Sequence, residues 1–270
     1  MRLRYLPMVC MAALAACGGT SDTKGDASKR QSAGEGAKEA VATAPARRLT
    51  PFVQANDPAF VLLPERGADA GAFVPAGWTV VKSAKADFNK DGHQDVMLVL
   101  RQQDQAKIKP LNEGSDQTLD SNPYRIAVAF FDPVTRDYAL VAEDHTLIPR
   151  NDNPRFDDPF NDAKTGKGVF VVGLSRFANM GSWSTESRSL TFRYQDGAFR
   201  LIGLDCTESE RNTGAYTRRS LNYLTHRMEV EIGTVEDEGP GKVTWRDLPG
   251  TRLHTLNEIG DGLDFKIPDA

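Results

Sequence analysis

The stretch from Trp78 to Leu100 constrains this chain more than any other. Trp78, Val80 and Val81 lead into an acidic turn, Asp87-Phe-Asn89-Lys-Asp91-Gly92-His93-Gln-Asp95. Val96, Leu98, Val99 and Leu100 lead out of it. Oxygen-bearing side chains stand at positions 1, 3, 5 and 9 of the loop, with glycine at position 6. At that spacing alternate residues of a tight turn face one hard cation. Calcium takes about six to eight oxygens, and Asp87, Asn89, Asp91, Asp95 and the His93 carbonyl supply most of them. Gly92 permits a bend that a side chain would strain. Position 12 is Leu98, where an EF-hand needs a bidentate glutamate. The valine-rich flanks, bounded by turn residues, read as strands. The expectation is a strand-loop-strand holding one structural Ca2+. A solvated Asn/Asp/Gly turn that binds nothing is the alternative.

Strand signals recur from there to the C-terminus. Tyr124 to Phe131 alternates, turns through Asp132-Pro133 to Asp137, and returns over Tyr138 to Ala142, a hairpin. Gly168 to Phe177 reads as a buried strand. Leu190 to Tyr194 turns at Asp196-Gly197 and returns through Phe199 to Leu204, with the Asp-Gly pair a strong hairpin signal. Leu221 to Thr234 and Lys242 to Asp247 complete the set. Few windows longer than ten residues keep a helical period. Residues 51–270 are expected to form an all-β, calcium-binding domain: a sandwich, barrel or propeller.

The N-terminus carries a different message. Arg2 and Arg4 precede an apolar run from Leu6 to Ala13, too short to span a bilayer as a helix. Leu14-Ala15-Ala16-Cys17-Gly18 then matches the lipobox of bacterial lipoprotein signals. Residues 1–16 are expected to be removed and Cys17 lipidated. By the lipoprotein sorting rule, Gly18 in place of aspartate directs the chain to the outer membrane, facing the periplasm. Residues 17–50 are mostly Gly, Ser, Ala, Thr, Lys and Glu, a composition expected to form a flexible tether. Removing Arg2 and Arg4 takes the formal charge from −4 to −6. That sign disfavours nucleic acid and suits a basic partner. With Cys10 removed and Cys17 acylated, Cys206 is left without a disulfide partner, and it reads as buried filler.

Catalytic signatures are sparse. The histidines at 93, 145, 226 and 254 show no metal-ligand spacing, and there is no nucleophile elbow or phosphate loop. Ser21-x-x-Lys24 and Lys164-Thr165-Gly166 mimic penicillin-binding motifs, but Ser21 falls in the tether. Asp157-Asp158-Pro159-Phe160-Asn161-Asp162 is read as a solvated turn, with a second cation loop or a carboxyl pair for glycoside hydrolysis as alternatives. The stretch Asn179-Met180-Gly181-Ser182-Trp183-Ser184-Thr185-Glu186 reads as a partner-binding loop between strands. Tryptophan is enriched at binding hot spots, and small polar neighbours hydrogen-bond adaptably. Trp183 folded back as core cover is the alternative.

Two resemblances bear on function. Asp87 to Asp95 resembles the calcium loops of FG-GAP and VCBS repeats, which sit on β-propeller blades, so a propeller-like fold is implied. The lipobox, tether, β domain and single calcium loop together resemble antibacterial immunity lipoproteins. Those guard the periplasm against lysozyme-like peptidoglycan hydrolases delivered by type IV secretion systems. The resemblance implies a non-enzymatic inhibitor whose partner is such a hydrolase and whose membrane contact is the lipid anchor alone. The loop from Asn179 to Glu186 is similar in kind to the loops with which proteinaceous lysozyme inhibitors plug a carbohydrate cleft, although their Ser-Gly-x-x-Tyr pattern is not intact here. A glycan-binding or outer-membrane assembly lipoprotein is the alternative reading.

Overall fold

The computed structural model describes residues 61–111, 116–237, 239–250 and 252–268. The expected signal segment, the tether and Cys17 lie outside the described residues. What is described is nearly all β, with 53% strand and 5% helix. The strands are β1 (Arg66–Gly67), β2 (Trp78–Ala86), β3 (Asp95–Gln102), β4 (Ile108–Pro110), β5 (Thr118–Asp120), β6 (Tyr124–Asp132) and β7 (Asp137–Asp144). They continue as β8 (Phe160–Gly166), β9 (Val169–Phe177), β10 (Ser184–Gln195), β11 (Ala198–Glu210), β12 (Ala215–Asn222), β13 (Arg227–Thr234) and β14 (Lys242–Asp247). Among the described residues no helix is long and apolar enough to cross a membrane.

One sheet has five strands in the order β1-β7-β6-β3-β2, and a second is a seven-stranded meander from β8 to β14. All their pairings are antiparallel, and β4 pairs with β5 in a small separate ribbon. No closed barrel or propeller is present among the described residues. The propeller expectation came from the acidic loop, whose ten residues are compatible with any sheet that supplies two adjacent strands.

Strand β3 gives the five-stranded sheet two covered faces. Side chains alternate across a strand, and β3 is apolar on both faces. Met97 and Val99 join the core shared with the large sheet, where they meet Phe170, Leu190, Phe192 and Leu204. Val96, Leu98 and Leu100 face the other way, into a smaller cluster with Leu63, Phe73 and Trp78. The continuous apolar run from Val96 to Leu100 is therefore a strand covered on both sides.

Turn chemistry sets the hairpins. Asp196 and Gly197 both take positive φ, 51° and 75°, as a type I′ turn requires. Asp132 Oδ1 accepts from the amides of Val134 and Thr135, and the Arg66 guanidinium on β1 clamps Asp132 and Asp137. Two expectations are corrected. Leu221 to Thr234 is two strands, because Asn222 Oδ1 accepts from the amides of Leu224 and Thr225 and His226 turns at φ 54°. The acidic run expected to be a solvated turn becomes strand at Phe160, where β8 pairs with β9.

The two sheets meet along the edge formed by β2 and β8. Thr165 Oγ1 donates to the Lys85 carbonyl at 2.9 Å, and Lys82 pairs with Asp162 at 2.7 Å. Phe88, from the acidic loop, is 1% exposed and packs edge-on against Phe170 and Phe199 of the large sheet. Truncating a buried aromatic costs about 3–5 kcal/mol. Phe88→Ala should lower the urea-unfolding free energy by that amount with the m-value unchanged. A loss below about 1 kcal/mol would mean that the loop does not join the sheets.

Candidate functional site

The acidic loop is built from nested side-chain turns. Asp87 accepts from the amides of Asp91 (3.1 Å) and Gly92 (3.0 Å), Asn89 Oδ1 from Asp91 (3.1 Å), and Asp91 Oδ1 from His93 (2.8 Å). Lys90 and Gly92 take left-handed φ values of 64° and 87° to close it. Asp95 behaves differently. It is fully buried, with one oxygen accepting from Phe88 N (2.8 Å) and the other from Phe131 N (3.0 Å). Burial pushes its carboxyl up to about 6; the backbone hydrogen bonds act against this and the Asp91 charge adds to it.

That arrangement fits a cation in part. Asp87, Asn89 and Asp91 lie in one tight turn, and each carboxylate oxygen keeps lone pairs beyond its amide contact. The repulsion that Asp91 exerts on Asp95 is what a cation would cancel. Yet Asp87, Asp91 and Asp95 are not drawn together as one ligand triple. Among the described residues, three such ligand atoms come within 4.8 Å of one another at Glu186, Cys206 and Glu208. Asp95 anchors the loop from inside through the two backbone amides of Phe88 and Phe131.

The second candidate loop is shorter than expected. Strand β10 begins at Ser184, so Ser184, Thr185 and Glu186 belong to the sheet and the connection is residues 178–183. Within it Met180 is 63% and Trp183 61% exposed, so Trp183 is not core cover. Asn179 is fixed by its amide to the Arg155 carbonyl (2.8 Å) and by its side chain to Asp157 Oδ1 (2.7 Å). Gly181, at φ 80°, turns the tip, and Ser182 Oγ accepts from Ser184 N at 3.1 Å. Arg211, in the β11–β12 turn, donates into this loop. No motif marked that residue in the sequence, because an arginine in a turn has no distinctive spacing.

One residue row further down the same sheet face, the apolar lining gives way to charge. Glu186 pairs with Arg188 and Arg176, and Glu208 pairs with Arg219 at 3.0 Å. Arg188 also donates to the carbonyls of Gly262 and Phe265, which straps the C-terminal segment across the sheet. These groups line a groove of about 440 Å³. Its carboxylates are already matched by guanidiniums, so the Glu186–Cys206–Glu208 cluster is poorly disposed toward a metal cation.

Asp157 and Asp158 are each engaged by neighbouring side chains. Asp158 accepts from Tyr124 Oη and pairs with Arg101 at 2.9 Å, while Asp157 holds Asn179. Lys164 and Thr165 are on edge strand β8, and Ser21 and Lys24 lie outside the described residues.

No family profile, curated protein or solved structure matches this chain.

Cys206 is fully buried, and burial, reinforced by the Glu186 charge, pushes its thiol up to about 11. Alkylation needs thiolate. In a chain beginning at Pro51, where Cys206 is the sole thiol, iodoacetamide labelling of the folded protein should stay negligible from pH 7 to about 9. Labelling should become complete on unfolding. Fast native labelling would contradict the buried placement.

Proposed function

We propose that this chain is a non-catalytic inhibitor, lipid-anchored at the periplasmic face of the outer membrane, that neutralises a lysozyme-like peptidoglycan hydrolase. The observation that carries the reading is the connection 178–183. It projects an exposed tryptophan and methionine from the end of a rigid, long-stranded hairpin. An inhibitor of a concave cleft needs such a preorganised projection, since ordering a floppy one consumes affinity. The Ser182 hydroxyl accepts from a backbone amide, which leaves its O–H free to donate toward a cleft carboxylate. The lipobox ending at Cys17 supplies the address, and the engagement of Asp157 and Asp158 elsewhere supports a role without catalysis.

The second reading, an envelope glycan-binding or outer-membrane assembly lipoprotein, draws on the same exposed Trp183 ring, a surface on which a sugar can stack. Truncating a central aromatic anchor costs about 2 kcal/mol or more, which is roughly thirtyfold in affinity. Trp183→Ala should relieve inhibition of a lysozyme-fold hydrolase by that factor with an unchanged melting temperature. Retention on purified peptidoglycan, lost in the same variant, with no inhibition of the hydrolase by the native chain, would favour the second reading.

The acidic loop is proposed to bind one calcium for structure, through Asp87, Asn89, Asp91 and the His93 carbonyl, with Asp95 as the inner anchor. A ligand taken up only by the folded state adds about 2.7 kcal/mol when it stands about a hundredfold above its Kd. The melting temperature should rise with calcium in the native chain and stay flat in Asp91→Ala. A native melting temperature indifferent to both calcium and chelator would sink this assignment.

A further inference from the structure

We propose that Arg211 is the positioning residue that holds residues 178–183 as a preformed projection, and that this projection fits an apolar-walled pocket on a protein partner. The second half rests on the docking reading above. The backbone amide and Nε of Arg211 both donate to the Trp183 carbonyl, at 2.9 and 3.3 Å. Its Nη2 donates to the carbonyls of Ala178 (2.6 Å) and Ser182 (2.8 Å). One side chain thus ties the first residue of the connection to the last two. The guanidinium also lies 4.4 Å from the centre of the Phe177 ring and 5.7 Å from that of Trp183. This uses the planar fork and the stacking face of arginine together, and lysine offers neither.

The same bonds define the kind of partner. Residues 178–183 carry no charged side chain. Three of their carbonyls are spent on Arg211, the Asn179 amide group on Asp157, and the Ser182 oxygen on the Ser184 amide. Asn179 and Ser182 are exposed as well, but part of their hydrogen-bonding capacity is spent within the loop, which leaves less of it to bracket a sugar's hydroxyls. Met180 and Trp183 are the large apolar side chains that face outward. An uncharged, rigid projection of that kind matches a pocket walled by apolar side chains.

The test uses the full chain and its Arg211→Lys and Arg211→Ala variants. Amide hydrogen exchange of residues 177–184 is measured without any partner, alongside inhibition of the lysozyme-fold hydrolase used above. Losing these charge-assisted bonds should speed exchange in the loop by about tenfold or more in both variants. Exchange in β9 and β10 away from the loop should stay native, and inhibition should weaken. Unchanged loop exchange in Arg211→Ala overturns the positioning role. So does weakened inhibition with native exchange, since Arg211 would then touch the partner itself. For the pocket, Met180→Asp should weaken inhibition roughly thirtyfold while Met180→Leu retains it. Met180→Asp inhibiting like the native chain overturns the apolar-pocket assignment. If no hydrolase is inhibited by the native chain, the docking reading and the pocket fail together, while exchange still decides the role of Arg211.

Discussion

The structure depends on one buried carboxylate. Asp95 begins β3, and its two oxygens receive the amides of Phe88 and Phe131, so one side chain fixes the loop before it and the strand beside it. Held in this way, Phe88 enters the aromatic cluster of Phe170, Phe192 and Phe199, where the large sheet packs on the small one. Gly168, which has positive φ, comes so close that an added Cβ would lie 3.3 Å from the Asp87 carbonyl. The acidic loop is therefore the joint between the sheets as well as a candidate ion site. A carboxylate buried with two backbone donors is strongly held, and removing it would leave both amides without partners.

This double duty explains the mixed disposition of the loop. A residue at position 9 of a cation loop is expected to point at the ion. Here the demand of two buried amides aims Asp95 inward, and burial raises its proton affinity. Sequence spacing shows which residues can face a common point. It does not show which of them the surrounding core has already engaged. Asp87, Asn89 and Asp91 lie on the solvent side, where their partners are the backbone of the loop itself and, for Asp91, the Asn89 side-chain amide.

Much of the fold was legible for a related reason. Hairpins announced by Asp132 to Asp137 and by Asp196-Gly197 are turned by local bonds and left-handed φ values within two to six residues, to which Arg66 adds a distant clamp at the first. The break after Asn222 was missed because its amphipathic flanks continue the same alternation on both sides. Strand β8 was missed because Asn161, Asp162, Lys164 and Thr165 are polar; as an edge strand it needs only Ala163 fully buried. The propeller expectation had no such support. It extended a ten-residue loop to an architecture set by how the sheets pack, and that packing lives in Met97, Phe170, Phe192 and Leu204, residues far apart in the chain. In the connection 178–183, Trp183 was visible as a residue type, but Arg211, which holds its carbonyl, lies 28 residues away along the chain.

The placement of the two loops follows from what the large sheet does along its length. Through Leu174, Leu190, Phe192 and Leu204 its inner face is apolar and covered by the small sheet. One end carries Arg176, Glu186, Arg188, Glu208 and Arg219, a face that ion pairs keep partly solvated. Burying such pairs under the small sheet would cost desolvation that their mutual attraction does not reliably offset. The sandwich must therefore end there, and only the C-terminal strap, held through main-chain carbonyls by Arg188, continues across. The β9–β10 hairpin runs on past that boundary, so its connection stands clear of the core with no sheet above it. An apolar side chain at the tip then has no internal partner to fold against. Trp183 stays outward because the charged rows beneath it exclude the core, and Arg211 gives the loop a fixed shape that the missing core cannot supply.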